Sequence, residues 1–198
     1  MISGLHEDAF VESKDATPLT VRKAVMRDIR PILQLINGYA AQGVMLPRTE
    51  FEMSEAIRDF TVVTAGRELL GCGALHFYSP TLAEIRSLAV RAQAKTQGVG
   101  RRLVAALLAE AEQYELDAVF AFTYVVPFFQ KVGFQMVERG ALPLKAWKDC
   151  LRCPKFQACD EVAVLRVLRP DHWAEALPEI WAPTPDDHLI QIPTPRLG

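Results

Sequence analysis

Apolar and polar positions alternate along this chain with two different periods, which together predict a regular succession of strands and helices. Short apolar or alternating runs favour strands, whereas apolar residues three or four positions apart favour helices. The predicted strands cover residues 20–26, 61–64, 69–78, 82–90, 118–123 and 161–168. The predicted helices run from 28 to 41, from 49 to about 60, from 98 to about 115, and briefly before a turn at 133–134. This order, βααβββαβαβ, fits a single α/β domain with one mixed sheet.

Residues that start and stop helices support the first two helical boundaries. Asp28 is expected to cap the first helix, with Pro31 in its first turn and Gly43 beyond its end. Thr49 and Glu52 form a capping-box pattern at the start of the second helix. The predicted apolar stripe of that helix is Met53, Ala56, Ile57 and Phe60.

In the strand predicted over residues 82–90, the alternation of apolar side chains between the two faces changes phase. If Ile85 faces the core, strict alternation places Leu88 and Val90 on the opposite face, although both are large apolar residues. One extra residue between Ile85 and Leu88 resolves the conflict, so the pattern predicts a β-bulge. Burial of both faces of the strand would weaken this argument considerably. A bulge withdraws backbone N–H groups from the ladder, and such groups can polarise a carbonyl.

Two glycines separate that strand from the following helix. Gly98 and Gly100 precede an apolar-periodic segment, and the N–H groups at the start of such a helix suit a pyrophosphate. Lys95, Arg101 and Arg102 crowd the helix N-terminus, where the helix dipole disfavours cations unless an anion lies among them. An ordinary turn fits the same pattern. The segment lacks the Gly-Lys-Ser/Thr ending of a mononucleotide P-loop and the acidic residue of a dinucleotide fingerprint.

The bulk composition narrows the class of protein. The chain has 198 residues, of which 50% are hydrophobic, enough for one core of ordinary size. Its net charge of −2 gives no reason to expect nucleic acid or an acidic membrane as a partner. No 18-residue apolar run and no secretory signal is evident. Four cysteines in a chain without such a signal suggest reduced thiols, so we expect a cytoplasmic protein. A homo-oligomer is left open.

The chain divides into three parts by composition. Residues 1–18 are expected to form a flexible N-terminal arm, and residues 19–169 the folded domain. Residues 170–198 hold six of the 13 prolines and two tryptophans, so this extension either packs on the domain or stays partly ordered.

The glycine loop resembles the acyl-CoA loop of the GNAT acetyltransferase superfamily, written Q/R-x-x-G-x-G/A. Lys95, Gly98 and Gly100 occupy its three fixed positions, with Lys95 in place of the usual Gln or Arg. A second similar segment follows at residues 127–134, although Phe129 stands where superfamily members often carry a tyrosine. The resemblance implies the GNAT fold over residues 19–169, with acetyl-CoA as cosubstrate. The residues expected at the cosubstrate are Leu88, Ala89, Val90, Lys95, Thr96, Gln97, Gly98, Val99, Gly100, Arg101 and Phe129.

Within that superfamily the chain is most similar to the short, stand-alone form of N-acetylglutamate synthase. The similarity lies in residues 43–48, 71–75, 83–90, 122–129 and 150–161. It implies acetyl transfer from acetyl-CoA to the α-amine of L-glutamate, the first step of arginine biosynthesis. The residues expected at the acceptor are Arg48, Arg86, Ser87 and Tyr124. Tyr124 departs from longer relatives, which carry there an arginine that helps to bind glutamate.

The candidate chemistry depends on a few of these side chains. Acetyl transfer needs a neutral amine, so a carboxylate beside the bulge is the natural base, and Glu84 is the candidate. An exposed Glu84 paired with Arg86 is the alternative. The leaving thiolate, with a pKa of about 8.5, needs little help from an acid. Tyr124, the hydroxyl near the site, is assigned either to catalysis or to orienting the substrate.

Arg48 stands directly before a predicted helix N-terminus, where a cation is misplaced unless it has an anionic partner. Its guanidinium suits a carboxylate of the acceptor, although an exposed loop arginine fits equally well. Arg86 is a second guanidinium that can reach the same cleft. Two arginines and one base suit an amino acid with two carboxylates.

Three cysteines form a C-x2-C-x5-C cluster made of Cys150, Cys153 and Cys159. A structural zinc site needs four ligands, so Asp160 or the distant His172 would have to complete it. Structural thiols, reduced or partly oxidised, are the favoured interpretation, and no metal is expected.

Two other functions compete with glutamate acetylation. One is a GNAT enzyme that acetylates another amino acid or small amine. The other is a GNAT-fold subunit that binds acetyl-CoA or a partner protein without useful turnover.

Overall fold

The computed structural model describes residues 17–138, 140, 142, 155 and 158–174. The strands are β1 (Leu19–Lys23), β2 (Phe60–Ala65), β3 (Glu68–Phe77), β4 (Leu82–Val90), β5 (Ala118–Thr123), β6 (Gln135–Val137) and β7 (Val162–Val167). The helices are α1 (Ile29–Ala40), α2 (Glu50–Ala56), α3 (Val99–Gln113) and α4 (Val126–Lys131). Short 3₁₀ helices cover Met26–Asp28, Ile57–Asp59 and Ala92–Gln97.

The strands of the described residues form one seven-stranded mixed sheet in the order β1-β2-β3-β4-β5-β7-β6. All neighbours are antiparallel except β4 and β5, which run parallel. This parallel pair covers three positions and ends where Glu84 lies opposite Phe120. From there on β4 keeps its partner β3 and β5 keeps its partner β7, so the sheet opens between them towards their carboxyl ends.

The predicted bulge in β4 is confirmed. Cys72 pairs with Ala89 and Ala74 pairs with Arg86, so two residues of β4, Ser87 and Leu88, lie opposite a single residue of β3. Ser87 has a φ of 53°, in the left-handed region that side chains rarely adopt. The extra residue reverses the parity of the strand beyond it.

The bulge decides which helices each part of β4 meets. Ile85 and Leu88 pack with the cluster that contains α3. Ala89 packs instead with residues of α1 and α2 on the other face. Leu88 and Val90, expected to be buried, are half-buried, whereas Ala89 is 3% exposed.

Helix α3 lies very close to β3 because two strand residues have no side chain. A Cβ atom at Gly71 would lie 2.8 Å from Val99 Cγ1, and one at Gly73 would lie 3.2 Å from Leu107 Cδ1. This approach buries Val99 and Leu107 completely. Burial of such a side chain contributes about 1.5–3 kcal/mol, so the packing fixes the position of the α3 N-terminus.

Several predicted boundaries need correction. Asp28 does not cap α1 with its side chain, which instead accepts hydrogen bonds from the backbone N–H of Val25 and from the guanidinium of Arg22 in β1. Helix α2 ends at Ala56, and Phe60 begins β2 because the chain turns through a 3₁₀ helix in between. Strand β6 was not predicted, since three residues are too few to show a period.

Most of the predicted N-terminal arm and most of the predicted C-terminal extension lie outside the described residues. Residues 170–174 are helical, and Trp173 packs against the cluster that contains Leu82 and Phe120. Packing therefore continues past the predicted domain end at 169, while the domain boundaries stay predictions. Within the part of the chain that the structure describes, no helix combines the length and apolar character that a membrane span requires.

Candidate functional site

The opening between β4 and β5 brings together most of the predicted acceptor residues. Glu84 sits at the last position where β4 pairs with β5 and is 9% exposed. The hydroxyl of Tyr78, at the end of β3, donates a hydrogen bond to Glu84 Oε2 at 2.9 Å. The alternative of an exposed Glu84 is therefore wrong. Sequence reasoning missed Tyr78, because the hairpin between β3 and β4 decides whether it reaches Glu84.

Arg48 reaches this opening from the loop between α1 and α2. Asn37 of α1 holds the loop with two hydrogen bonds of 2.9 Å to the backbone N–H and C=O of Arg48. The Nε atom of Arg48 then lies 3.1 Å from Ser87 Oγ at the bulge. Two residues predicted separately at the acceptor are thus in direct contact.

Arg86 lies on the same face of the sheet as Glu84 and Arg48. It is paired with Ala74, and Ala74 packs among residues of α1 and α2. Because directly paired residues point to the same face, Arg86 also points to that side. The α1–α2 side of the opening therefore holds two guanidinium groups, of Arg48 and Arg86, and the nearly buried carboxylate of Glu84.

Tyr124 stands just past the end of β5, on the other side of the opening. It is 38% exposed. Lys155 Nζ donates to its hydroxyl at 3.4 Å and lies 5.1 Å from the ring centroid. Burial, together with the negative charges of Glu161 and Asp160, raises the pKa of Tyr124. Its hydroxyl is therefore protonated at neutral pH.

Lys155 had no signal in the sequence as a site residue. It belongs to the predicted cysteine-rich segment, and its Nζ atom also lies 3.8 Å from Asp160 Oδ1. Its position places a third cation beside the opening, opposite the arginines of β4 and the α1–α2 loop.

The glycine loop forms the N-terminus of α3 on the opposite face of the sheet. Gly98 has a φ of 74° and ends the 3₁₀ helix before α3. At this end of α3 the N–H of Arg102 donates to the C=O of Gly98, so the N–H groups of residues 99–101 precede this bond. The first turn has no side-chain cap and no acidic residue. This end of α3 therefore has the N–H groups and the dipole that suit a phosphate.

The basic residues of the loop surround that helix end. Lys95, Arg101 and Arg102 are exposed, as are Thr96 and Gln97. Lys95 Nζ lies 5.4 Å from the ring centroid of Tyr39, whose hydroxyl donates to the C=O of Val90 at 2.6 Å. Sequence reasoning missed Tyr39, since its position on α1 is 51 residues from Val90.

The two aromatic residues of α4 have different surroundings. Phe129 is 3% exposed and packs edge-on against Phe134 in the core. Phe128 is the ring that meets the glycine loop, since a Cβ atom at Gly100 would lie 3.3 Å from it. Direct contact of Phe129 with the cosubstrate stays a prediction.

The cysteine cluster can be followed only in part. Cys150 and Cys153 lie outside the described residues, while Cys159 is half-buried with its Sγ 3.9 Å from Glu161 Oε2. No group of three or more potential metal ligands occurs among the residues that the structure describes. The zinc alternative therefore stays untested.

The gap in the sheet joins these two halves of the site. A carboxylate and guanidinium groups lie on the α1–α2 face, and an uncapped helix N-terminus lies on the α3 face. A donor held by α3 can extend through the gap to an acceptor held on the far face. Such an arrangement suits group transfer between two separately bound molecules.

Comparison with known proteins identifies the family. Residues 27–134 match the acetyltransferase (GNAT) family. An uncharacterized N-acetyltransferase of Chlorobaculum tepidum is 39% identical over 153 residues, which cover 77% of this chain and 99% of that protein. An amino-acid acetyltransferase of Mycobacterium tuberculosis is 34% identical, over 70% of this chain and 80% of that protein.

Solved structures give the same result. N-acetylglutamate synthase from Neisseria gonorrhoeae, complexed with coenzyme A and N-acetyl-glutamate, has a TM-score of 0.70 at 28% identity, over 79% of this chain and 36% of that chain. A Mycobacterium tuberculosis protein in complex with CoA and NLQ has a TM-score of 0.66 at 28% identity, over 75% of this chain and 99% of that chain. The resemblance and fold predicted from the glycine loop are confirmed, and the chain belongs to the GNAT family of acetyltransferases.

Proposed function

We propose that this GNAT acetyltransferase transfers the acetyl group of acetyl-CoA to the α-amine of L-glutamate. The main support for this proposal is the contact between Arg48 and Ser87, which places a guanidinium at the bulge beside Glu84. The gonococcal synthase, whose structure contains coenzyme A and N-acetyl-glutamate, supports the choice of both substrates.

The cosubstrate half of the site is the N-terminus of α3. The backbone N–H groups of Val99, Gly100 and Arg101 bind the pyrophosphate of acetyl-CoA, and Lys95 adds a positive charge. The side chains of the exposed Thr96 and Gln97 border the same loop. The pantetheine arm then follows Leu88, Ala89 and Val90 into the gap, where the bulge leaves N–H groups outside the regular ladder.

The acceptor half of the site binds the carboxylates of glutamate. Arg48 and Arg86 bind one carboxylate on the α1–α2 face, since a guanidinium matches carboxylate geometry. Lys155, which lies against Tyr124, binds the other from the β5 side. A lysine from the cysteine-rich segment thereby replaces the arginine that longer relatives carry at the position of Tyr124.

The transfer itself requires one base and little acid. Glu84 takes a proton from the acceptor ammonium, directly or through a water molecule. The amine nitrogen attacks the thioester carbon, and an N–H group freed by the bulge stabilises the oxyanion. The C–S bond then breaks, and the thiolate of CoA leaves with its electron pair. The nitrogen, which still carries one proton more than the amide product, gives that proton to the thiolate, directly or through water. The hydroxyl of Tyr124 orients the substrate, because its raised pKa keeps it protonated and makes it a weaker acid than the CoA thiol.

The corresponding metabolic role is the first step of arginine biosynthesis, in the cytoplasm. An alternative acceptor within the same family is another amino acid or a small amine. The two acceptors differ in the charge that they require beside Tyr124, since only a second carboxylate needs the positive charge that Lys155 supplies there.

A steady-state assay of CoA release tests the proposal. Wild-type protein with acetyl-CoA is offered L-glutamate, L-glutamine, L-aspartate and other amines, and free thiol is followed. We expect the highest kcat/KM with glutamate. Release only with another amine selects the alternative acceptor, and release with none favours a subunit that binds acetyl-CoA without turnover.

A further inference from the structure

Beside the candidate base, the α1–α2 face carries a second pair of ionisable groups. His76 of β3 lies directly opposite Glu84 of β4 in the register of the two antiparallel strands. Directly opposed side chains lie on one face with their Cβ atoms about 4.5–5.5 Å apart. His76 is therefore the immediate cross-strand neighbour of the carboxylate that the proposed function makes the base.

Asp59 orients the imidazole of His76. Its Oδ2 atom lies 3.1 Å from His76 Nδ1, and it belongs to the 3₁₀ helix between α2 and β2. A carboxylate at this atom favours a proton on Nδ1, which leaves Nε2 as the acceptor in the neutral ring.

The exposure of these groups rises from the base outwards. Glu84 is 9% exposed, whereas the side chains of His76 and Asp59 are 22% and 32% exposed. Tyr78 donates to Glu84 Oε2 and packs edge-on against His76, with ring centroids 5.1 Å apart. Tyr78 thus occupies one oxygen of the carboxylate and contacts the imidazole as well.

A buried base has to lose the proton that it gains in each turnover. If Glu84 kept the proton, the next acceptor ammonium would meet a neutral acid. Imidazole exchanges protons near neutral pH and is the side chain best suited to pass the proton to water. We propose that His76, held by Asp59, receives the proton from Glu84 and releases it to solvent. This inference rests on the proposed function, because it takes Glu84 as the base.

The proton balance of the relay is complete without another reactant. Glu84 changes from carboxylate to acid as the amine forms, and the acid then gives its proton to His76 Nε2, directly or through water. The resulting imidazolium, paired with Asp59, loses a proton to bulk water and the site returns to its initial state. The charged neighbour on the same face of β4 is Arg86, and Phe120, opposite Glu84 on β5, adds no charge.

The relay predicts a specific result for His76→Gln, which keeps a polar side chain and cannot carry the proton. We expect kcat with the best acceptor to fall about tenfold or more, with little change in KM. This loss is smaller than the full rate enhancement that general acid–base catalysis usually contributes, because Glu84 is still present. Imidazole added to the assay should restore part of the lost rate, since the site is partly exposed. Asp59→Asn, which removes the carboxylate that orients the ring, should lower kcat less.

His172→Gln is the matched control, because that imidazole lies beside Asp117 before the start of β5. It should leave kcat, its pH profile and the response to imidazole unchanged. If His76→Gln retains the wild-type kcat and pH profile while Glu84→Gln loses activity, the relay is wrong and the proposed function stands. If wild type acetylates another amine, the same variants test the relay with that amine. A loss in His76→Gln that imidazole does not restore and that leaves the pH profile unchanged also contradicts the relay.

Discussion

The Nε atom of Arg48 lies 3.1 Å from the Oγ atom of Ser87, although 39 positions separate the two residues in the chain. This contact joins the α1–α2 loop to the bulge of β4. It places a guanidinium group beside the opening of the sheet, on the same face as Glu84.

Removing the guanidinium should weaken acceptor binding selectively. For Arg48→Ala we expect the KM for glutamate to rise about 10- to 100-fold, because a hydrogen bond to a charged group contributes about 1.5–3 kcal/mol. The KM for acetyl-CoA should stay unchanged, since α3 lies on the other face. Steady-state kinetics with each substrate varied in turn measures both values.

Two further variants separate charge from geometry at this position. Arg48→Lys keeps the charge and loses the planar fork, so the KM for glutamate should lie between those of wild type and Arg48→Ala. Arg58→Ala removes an exposed arginine from the 3₁₀ helix after α2 and should change neither KM. An unchanged KM for glutamate in Arg48→Ala would remove Arg48 from the acceptor site.

Lys155 provides a test of the β5 side of the site. Lys155→Met keeps the aliphatic length and removes the charge that lies 3.4 Å from the Tyr124 hydroxyl. We expect the KM for glutamate to rise about tenfold, and the ratio of kcat/KM for glutamate over glutamine to fall. Equal losses with both acceptors would show that Lys155 does not recognise the second carboxylate.

Gly98 tests the cosubstrate loop. Its φ of 74° makes Gly98→Ala strained by about 1–2 kcal/mol, while the added Cβ meets no protein atom within 4 Å. The strain should lower the free energy of unfolding. If the pyrophosphate lies against this backbone, the KM for acetyl-CoA should also rise. Urea unfolding and steady-state kinetics together measure the two effects.

Gly66→Ala is the control for that strain. Gly66 has a φ of 57° in the turn between β2 and β3, and its nearest neighbour is an ordinary contact of 3.7 Å to Thr17. It should lower stability by a similar amount and leave the KM for acetyl-CoA unchanged. A wild-type KM for acetyl-CoA in Gly98→Ala or in the larger Gly98→Val would contradict the loop assignment.

Asp28 gives the stability a predictable dependence on pH. Its carboxylate accepts bonds of 2.6 and 2.9 Å from Arg22, which lowers the pKa of Asp28 below its usual value. Because the folded state binds the proton more weakly, this contribution is present above about pH 4, the unfolded value, and is lost as the pH falls through the lower folded value. Asp28→Asn should therefore lower the free energy of unfolding at pH 7 by about 1–3 kcal/mol.

The same difference should shrink in acid. Urea unfolding of wild type and Asp28→Asn at several pH values between 7 and 3 measures it, with Glu112→Gln, an exposed carboxylate of α3, as the control. A constant difference between wild type and Asp28→Asn across this range would contradict the assigned role of the carboxylate.

Local rules predicted much of the donor half of the site from the sequence. The parity conflict between Ile85 and Leu88 located the bulge, and the two glycines located the N-terminus of α3. Both features depend on residues next to one another in the chain, so local periodicity and turn chemistry are sufficient to find them. The length of β5 was predicted for the same reason, since its boundaries coincide with a short apolar run.

The acceptor half depends on contacts that no local pattern contains. The bond between Tyr78 and Glu84 requires the register of the β3–β4 hairpin, and the His76–Glu84 pair requires the same register. Lys155 reaches Tyr124 across 31 positions because β7 returns beside β5. The residue types alone were enough to select Arg48 and Glu84 as candidates. The contact of Arg48 with Ser87 and the near burial of Glu84 depend on the assembled sheet.

The most direct test of glutamate acetylation at this gap is a competition experiment with mass detection. Wild-type protein and Glu84→Gln are each given acetyl-CoA with equal concentrations of L-glutamate, L-glutamine and L-aspartate, and the acetylated products are quantified. We expect mainly N-acetylglutamate from wild type, and its formation by Glu84→Gln should be about 100-fold or more slower. A different main product from wild type would contradict glutamate as the acceptor, and equally fast formation of N-acetylglutamate by Glu84→Gln would contradict Glu84 as the base.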